Sequence, residues 1–209
     1  ANTTGSNAHG DLVLASNGKM YGTAASGGSS SAGTLYEFDY LTGTCVAKYT
    51  FSPMNAAGYN PYGSLTLADN GKLYGLTSVG GFNNQGVLFE FDPSTAALIA
   101  KFNFNGTNGA KPLGSMTLAS NGKMYGGTYR GGSLGRGTFF EFDPTTGLLA
   151  KKFDMNGSTT GAEIYYGAPL KASNGKLYAL TRAGGTNNTG AILEFDPGTG
   201  GVNLRFSFG

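Results

Sequence analysis

Apolar and polar residues alternate with period two over short stretches of this chain, and each stretch ends at a turn built on glycine. Ser64-Leu-Thr-Leu-Ala68 runs into Asp69-Asn-Gly71, where Asn and Gly accept the positive φ that a tight hairpin needs. Lys72-Leu-Tyr-Gly-Leu-Thr77 reads as the returning strand. A Gly80-Gly81 loop leads through Gly86 to a third strand, Val87-Leu-Phe-Glu-Phe91, and Pro93 then stops the ladder because it fixes φ and has no N–H to donate. Ala97-Leu-Ile-Ala-Lys-Phe-Asn-Phe104 is the fourth strand. The pattern predicts a four-stranded antiparallel meander, and helical periodicity is found nowhere in the chain.

The strands carry apolar residues on both parities, Leu73 with Tyr74 and Leu88 with Phe89. A sheet with one wet face would not do so, so both faces are expected to be covered. The whole unit is written four times, opening GDLVLASNGKMYG at Gly10, GSLTLADNGKLYG at Gly63, GSMTLASNGKMYG at Gly114 and GAPLKASNGKLYA at Gly167. Residues 167–209 together with residues 1–9 make up about one further repeat length, so the register closes on itself. Repetition at a period near 50 signals a propeller or another array in which no unit buries its apolar faces alone. The predicted fold is therefore all-β, a four-bladed β-propeller forming a single domain, with blades at about 10–52, 63–104, 114–155 and 167–208. Residues 1–9 either close the ring or reach a neighbouring subunit. The competing arrangement is half of an eight-bladed ring made by two chains.

Composition narrows the partners. Charged residues are 12% of the chain and the formal net charge is +2, which argues against nucleic acid. The 37 glycines fall at fixed turn positions and read as structural. A single cysteine, Cys45, excludes a disulfide within the chain and reads as a buried structural thiol. No apolar run approaches the ~18 residues of a membrane span, and no charged-then-apolar leader opens the sequence. The alternatives are a cytosolic protein or one whose leader has been removed. The charge-poor surface, rich in Asn, Gly, Ser and Thr, favours the second.

At Leu73-Tyr-Gly-Leu-Thr77, Gly80-Gly81 and Gly86-Val-Leu-Phe-Glu-Phe-Asp-Pro93 the chain resembles the GloVer-type tandem repeats of bacterial choice-of-anchor proteins. The resemblance spans all four copies; Tyr40 replaces the proline after Asp39, and Ala179 replaces the glycine after the strand tyrosine. It implies a secreted or surface-attached bacterial protein and brings no catalytic residues with it. Arrays of that family are commonly longer than four copies, so the chain could be a processed or excised piece. A looser similarity runs to propellers that include lyases, cyclotransferases and inert scaffolds, and such a fold does not decide a function.

The fourfold pattern separates scaffold from site. Lys72 and its equivalents should reach the acids of the recurring Glu-Phe-Asp across the ladder, which is scaffold chemistry. The charges left over gather, with several tyrosines, in the second loops and the connectors between copies, at one end of the blades. That end supplies the candidate binding residues Tyr59, Lys111, Tyr129, Arg130, Arg136, Glu163, Tyr165, Tyr166 and Arg182. Lys171, where other copies have leucine, is expected to be turned by a bulge at Pro169.

Three function classes follow: a non-catalytic extracellular module that self-assembles, as an oligomer or a filament, or binds a partner protein; a lectin-like propeller; and, weakest, a lyase or hydrolase. His9 is the only histidine. It leaves one possible base for a nucleophilic triad and no two-histidine metal site, so neither catalytic residues nor metal nor cofactor is expected.

Overall fold

The structure, a computed structural model, describes residues 3–209; Ala1 and Asn2 of the N-terminal segment lie outside them. The chain forms two compact units, residues 1–104 and 105–209, each with two four-stranded antiparallel sheets in simple meander order. In the first unit the sheets are β1 (Val13–Leu14), β2 (Met20–Ala24), β3 (Thr34–Asp39) and β4 (Thr44–Thr50), then β5 (Thr66–Leu67), β6 (Leu73–Thr77), β7 (Val87–Asp92) and β8 (Ala97–Asn103). In the second they are β9 (Thr117–Leu118), β10 (Met124–Gly127), β11 (Thr138–Asp143) and β12 (Leu148–Asp154), then β13 (Leu170–Lys171), β14 (Leu177–Thr181), β15 (Ala191–Phe195) and β16 (Val202–Ser207).

Each sheet is one predicted blade. The register shifts once between its third and fourth strands, at Leu35/Tyr36, Leu88/Phe89, Phe139/Phe140 and Ile192/Leu193. An extra residue at the same place in every blade bends the outer strand and increases the local twist.

The two parities of each strand have separate tasks. In the first unit Tyr21, Leu35 and Phe51 of the first blade pack against Leu65, Leu73, Phe89 and Phe91 of the second. Tyr21 and Phe91 have ring centroids 5.6 Å apart, and Phe51 and Phe89 are 5.3 Å apart. The second unit repeats the seam, with Tyr125, Phe139 and Met155 against Leu177, Leu193 and Phe195. We call the face like that of Tyr21 trailing and the face like that of Phe91 leading.

A polar ladder crosses each blade. The Tyr74 hydroxyl donates to Glu90 at 2.8 Å and accepts from the Asn70 amide at 3.0 Å, while Lys72 meets the other Glu90 oxygen at 2.6 Å. Tyr125, Glu141, Asn121 and Lys123 repeat it, as do Tyr178, Glu194, Asn174 and Lys176. In the first blade Tyr21 still reaches Glu37, but Lys19 pairs with Asp39. The expected cross-strand pairs are present. The alternation pattern gave no sign of the tyrosine and asparagine that complete them, because a strand tyrosine reads as an apolar position.

Two expectations are corrected. Cys45 is exposed, not buried: it opposes Phe38 across β3 and β4, at the position where Leu98 packs on the first unit's core, but no blade of its own unit covers that face. Pro169 causes no bulge. Leu170 pairs Tyr178 and Lys171 pairs Leu177, the same register as Thr66 with Tyr74 and Leu67 with Leu73, so the proline is accommodated at the strand entrance and Lys171 is solvated.

Candidate functional site

The loop end of the blades is organised by one repeated backbone device. Asn7, Asn60, Lys111 and Glu163 occupy equivalent places in the four connectors, and all four are left-handed, with φ of 58°, 55°, 50° and 61°. The carbonyl of each accepts from the residue after the last threonine of the second strand or its equivalent: Ala25, Ser78, Tyr129 and Arg182, respectively. Asparagine tolerates this conformation and glutamate does so poorly. The clamp is scaffold; the residues mounted on it differ from blade to blade.

In the second unit those mounted residues converge. Glu163 is nearly buried, and its two carboxylate oxygens are held separately, Oε1 by Arg130 at 2.5 Å and Oε2 by Arg182 at 2.8 Å. Arg130 also donates to the Tyr129 hydroxyl at 2.9 Å, and its guanidinium lies 4.2 Å from the centroid of that ring. Tyr129 meets Tyr165 edge-on at 5.0 Å, and Tyr165 meets Tyr166 at 4.1 Å. Arg182 lies over Tyr165 at 5.7 Å. Each arginine is thus shared between a carboxylate and an aromatic face, which fixes its plane while leaving about half of it in water.

Beside the cluster is a shallow open depression of about 290 Å³, lined by Arg130, Leu134, Arg136, Glu163, Ala183 and Asn188 among others. Arg136 has no carboxylate within ion-pair distance among the described contacts, so the arginines outnumber the acid that faces them. Leu134 and Asn188 gave no signal in the sequence because loops of this kind are rich in such residues throughout.

The remaining candidates lie apart from this group. Lys111 contributes its backbone carbonyl to Tyr129 while its side chain is exposed. Tyr59 belongs to the first unit, where its backbone pairs with Val79 and its ring packs on the core, so it serves the scaffold. The His9 and Tyr62 rings lie tilted to each other with centroids 5.6 Å apart. Ser6 pairs with Ser26 of its own blade, the contact that the later connectors make with theirs at Tyr59–Val79, Ala110–Arg130 and Ala162–Ala183.

Four copies of one meander, each clamped by its connector, match the Gloeobacter/Verrucomicrobia repeat over residues 8–209. The chain belongs to this repeat family. Among curated proteins none matches the sequence. The fold of this Gloeobacter/Verrucomicrobia repeat protein is similar to β-propeller regions in solved structures. The extracellular domain of BT4673 from B. thetaiotaomicron is 13% identical with a TM-score of 0.65, covering 97% of this chain and 22% of that one. TolB from Acinetobacter baumannii is 17% identical with a TM-score of 0.55, over 89% of this chain and 40% of that one. The tricorn protease is 17% identical with a TM-score of 0.56, over 95% and 18%. At such identities the likeness concerns the fold, and the repeat protein spans well under half the length of each of these chains.

Proposed function

We propose that this chain is a non-catalytic recognition module of a secreted or cell-surface protein, and that it engages an acidic partner protein at the loop end of its second unit. The observation that carries the reading is the cluster of Arg130, Arg182 and three tyrosines around one nearly buried glutamate, next to the open, arginine-lined depression. Tyrosine and arginine are the side chains that dominate binding energy at protein interfaces, and a rigid, cross-braced set costs little entropy to immobilise. The module is read as non-catalytic because the two unrepeated acids at the loop end of the second unit are engaged, Glu163 by two arginines and Asp154 by Lys151 and Ser133. Carbohydrate binding is the second reading, favoured by the half-exposed ring of Tyr166 beside Tyr165. An extracellular setting draws support from the BT4673 domain, itself described as extracellular.

The test uses poly-L-glutamate as an acidic probe, with neutral oligosaccharides in parallel. Changing Arg130, Arg136 and Arg182 together to serine is expected to weaken polyglutamate binding at least about tenfold, and to cost about 1–3 kcal/mol of stability because the nearly buried Glu163 loses both partners. Glu163→Gln is expected to act in the opposite direction, tightening binding roughly threefold or more at low salt, since it releases two guanidinium groups from their internal anion. Equal binding by the parent and the triple variant would overturn the reading. Saccharide binding that survives the triple variant and disappears in Tyr166→Ala would replace it with the second.

A further inference from the structure

We propose that copies of this chain join end to end: the trailing face of the fourth blade in one copy receives the leading face of the first blade in a second copy. The chain contains its own template for the contact. The seams within the two units show that a trailing face is covered by a leading face, and the positions are equivalent residue by residue.

The trailing face of the fourth blade carries Leu170, Tyr178, Leu180, Ile192, Phe206 and Phe208. Tyr178, Ile192 and Phe208 stand where Tyr21, Leu35 and Phe51 are fully buried. Here Leu170 is 69% exposed, Leu180 64% and Phe206 53%. Leu170, Tyr178, Leu180 and Ile192 line an apolar hollow of about 290 Å³. The leading face of the first blade carries Leu12, Leu14, Met20, Tyr36 and Phe38. These match Leu65, Leu67, Leu73, Phe89 and Phe91 of the first unit's core, yet Leu12 is 48% and Leu14 54% exposed.

The backbone carries the same signature. A Cβ on Gly10 would lie 2.6 Å from the backbone of Ser64 in the next blade, and one on Gly114 would lie 2.4 Å from the carbonyl of Gly167; a Cβ on Gly167 meets nothing. At the seam within each unit the glycine that opens the first blade, Gly10 or Gly114, is pressed against the blade that follows. Gly167 has the same sequence role and an open place before it.

The occupant follows from complementarity. Tyr21–Phe91 in one unit and Tyr125–Phe195 in the other are the same ring pair. Tyr178 would meet Phe38 of the second copy in that geometry, as Phe208 would meet Tyr36. Each copy supplies one face of each kind, so the contact is heterologous and can repeat from one copy to the next. A net charge of +2 offers little repulsion between copies.

Sedimentation of the 209-residue chain measures the mass, and alkylation of Cys45, which lies on the same leading face, reports its cover. The parent is expected well above the 21.4 kDa of one copy, with Cys45 reacting slowly. Leu170→Asp with Leu180→Asp, or Leu12→Asp with Leu14→Asp, should raise the dissociation constant by about 100-fold or more, since each removes two large apolar contacts. These positions are open to water in the single chain, so the variants should keep the parent's circular dichroism. An equal mixture of the two variants should recover two-copy particles through the one intact junction, while the arginine-to-serine triple variant should assemble like the parent. A parent at 21.4 kDa with Cys45 alkylated as fast as in the variants would overturn the proposal, as would an assembly that both double variants leave intact.

Discussion

Replacing Phe51 by alanine is expected to destabilise the first unit by about 3–5 kcal/mol, while the same change at Phe208, its equivalent in the fourth blade, should cost less than about 1 kcal/mol in the isolated chain. Phe51 is wholly buried, with Tyr49 edge-on at 5.0 Å and Phe89 at 5.3 Å, so truncation leaves a cavity in a filled seam. Phe208 touches Phe206 at 5.3 Å but is 39% exposed, and water takes up the space it vacates. Urea unfolding of the two variants, monitored for each unit, reads the difference. Equal losses at dilution would mean that Phe208 is covered within its own chain.

Stability is expected to be flat through the neutral range and to fall at both extremes of pH, for opposite reasons at the same ladder. At Glu194 the bonds from Lys176 and Tyr178 hold the carboxyl down to about 2 from an ordinary 4.5. At Glu90 and Glu141 burial opposes the charge, but the lysine and tyrosine donors outweigh it and both carboxyls are lowered. A carboxyl lowered in the folded state stabilises that state above its unfolded value, and the benefit is lost as pH falls from about 4.5 toward 2. The hydroxyls of Tyr21, Tyr74 and Tyr125 are pushed up to about 12, chiefly by burial. Their contribution is complete below 10 and is lost as pH rises toward 12, roughly 3 kcal/mol for each. Guanidinium unfolding across pH, with tyrosinate absorbance as a second signal, checks both limbs. Ionisation of these tyrosines at the ordinary value in the folded protein would remove the alkaline limb. Tyr74→Phe should flatten it in part and lower mid-range stability by about 1–3 kcal/mol, since Glu90 loses a buried donor.

The charge cluster illustrates how far subtraction can go. Removing every residue repeated fourfold left Arg130, Glu163 and Arg182 among the remainder, and the structure joins them in two ion pairs. The same subtraction included Tyr59, whose ring packs on the core. Aromatic residues in connectors serve either purpose, and a sequence position does not tell which way a ring turns.

By itself the sequence determined the local structure of this protein. Period-two alternation, Asn-Gly hairpins and the fourfold repeat dictate sixteen short strands in four meanders, because those choices depend on φ preferences and on neighbours a few residues away. It also determined the cross-strand lysine–glutamate pairs, which follow from register alone. Only the tertiary structure decided which of the eight blade faces are filled. Cys45 and Leu98, or Tyr178 and Tyr21, are indistinguishable by pattern, yet one of each pair is covered and the other open or half-open. Burial of a sheet face is a property of whatever lies across from it, and in a repeat array every face looks alike from within its own strand.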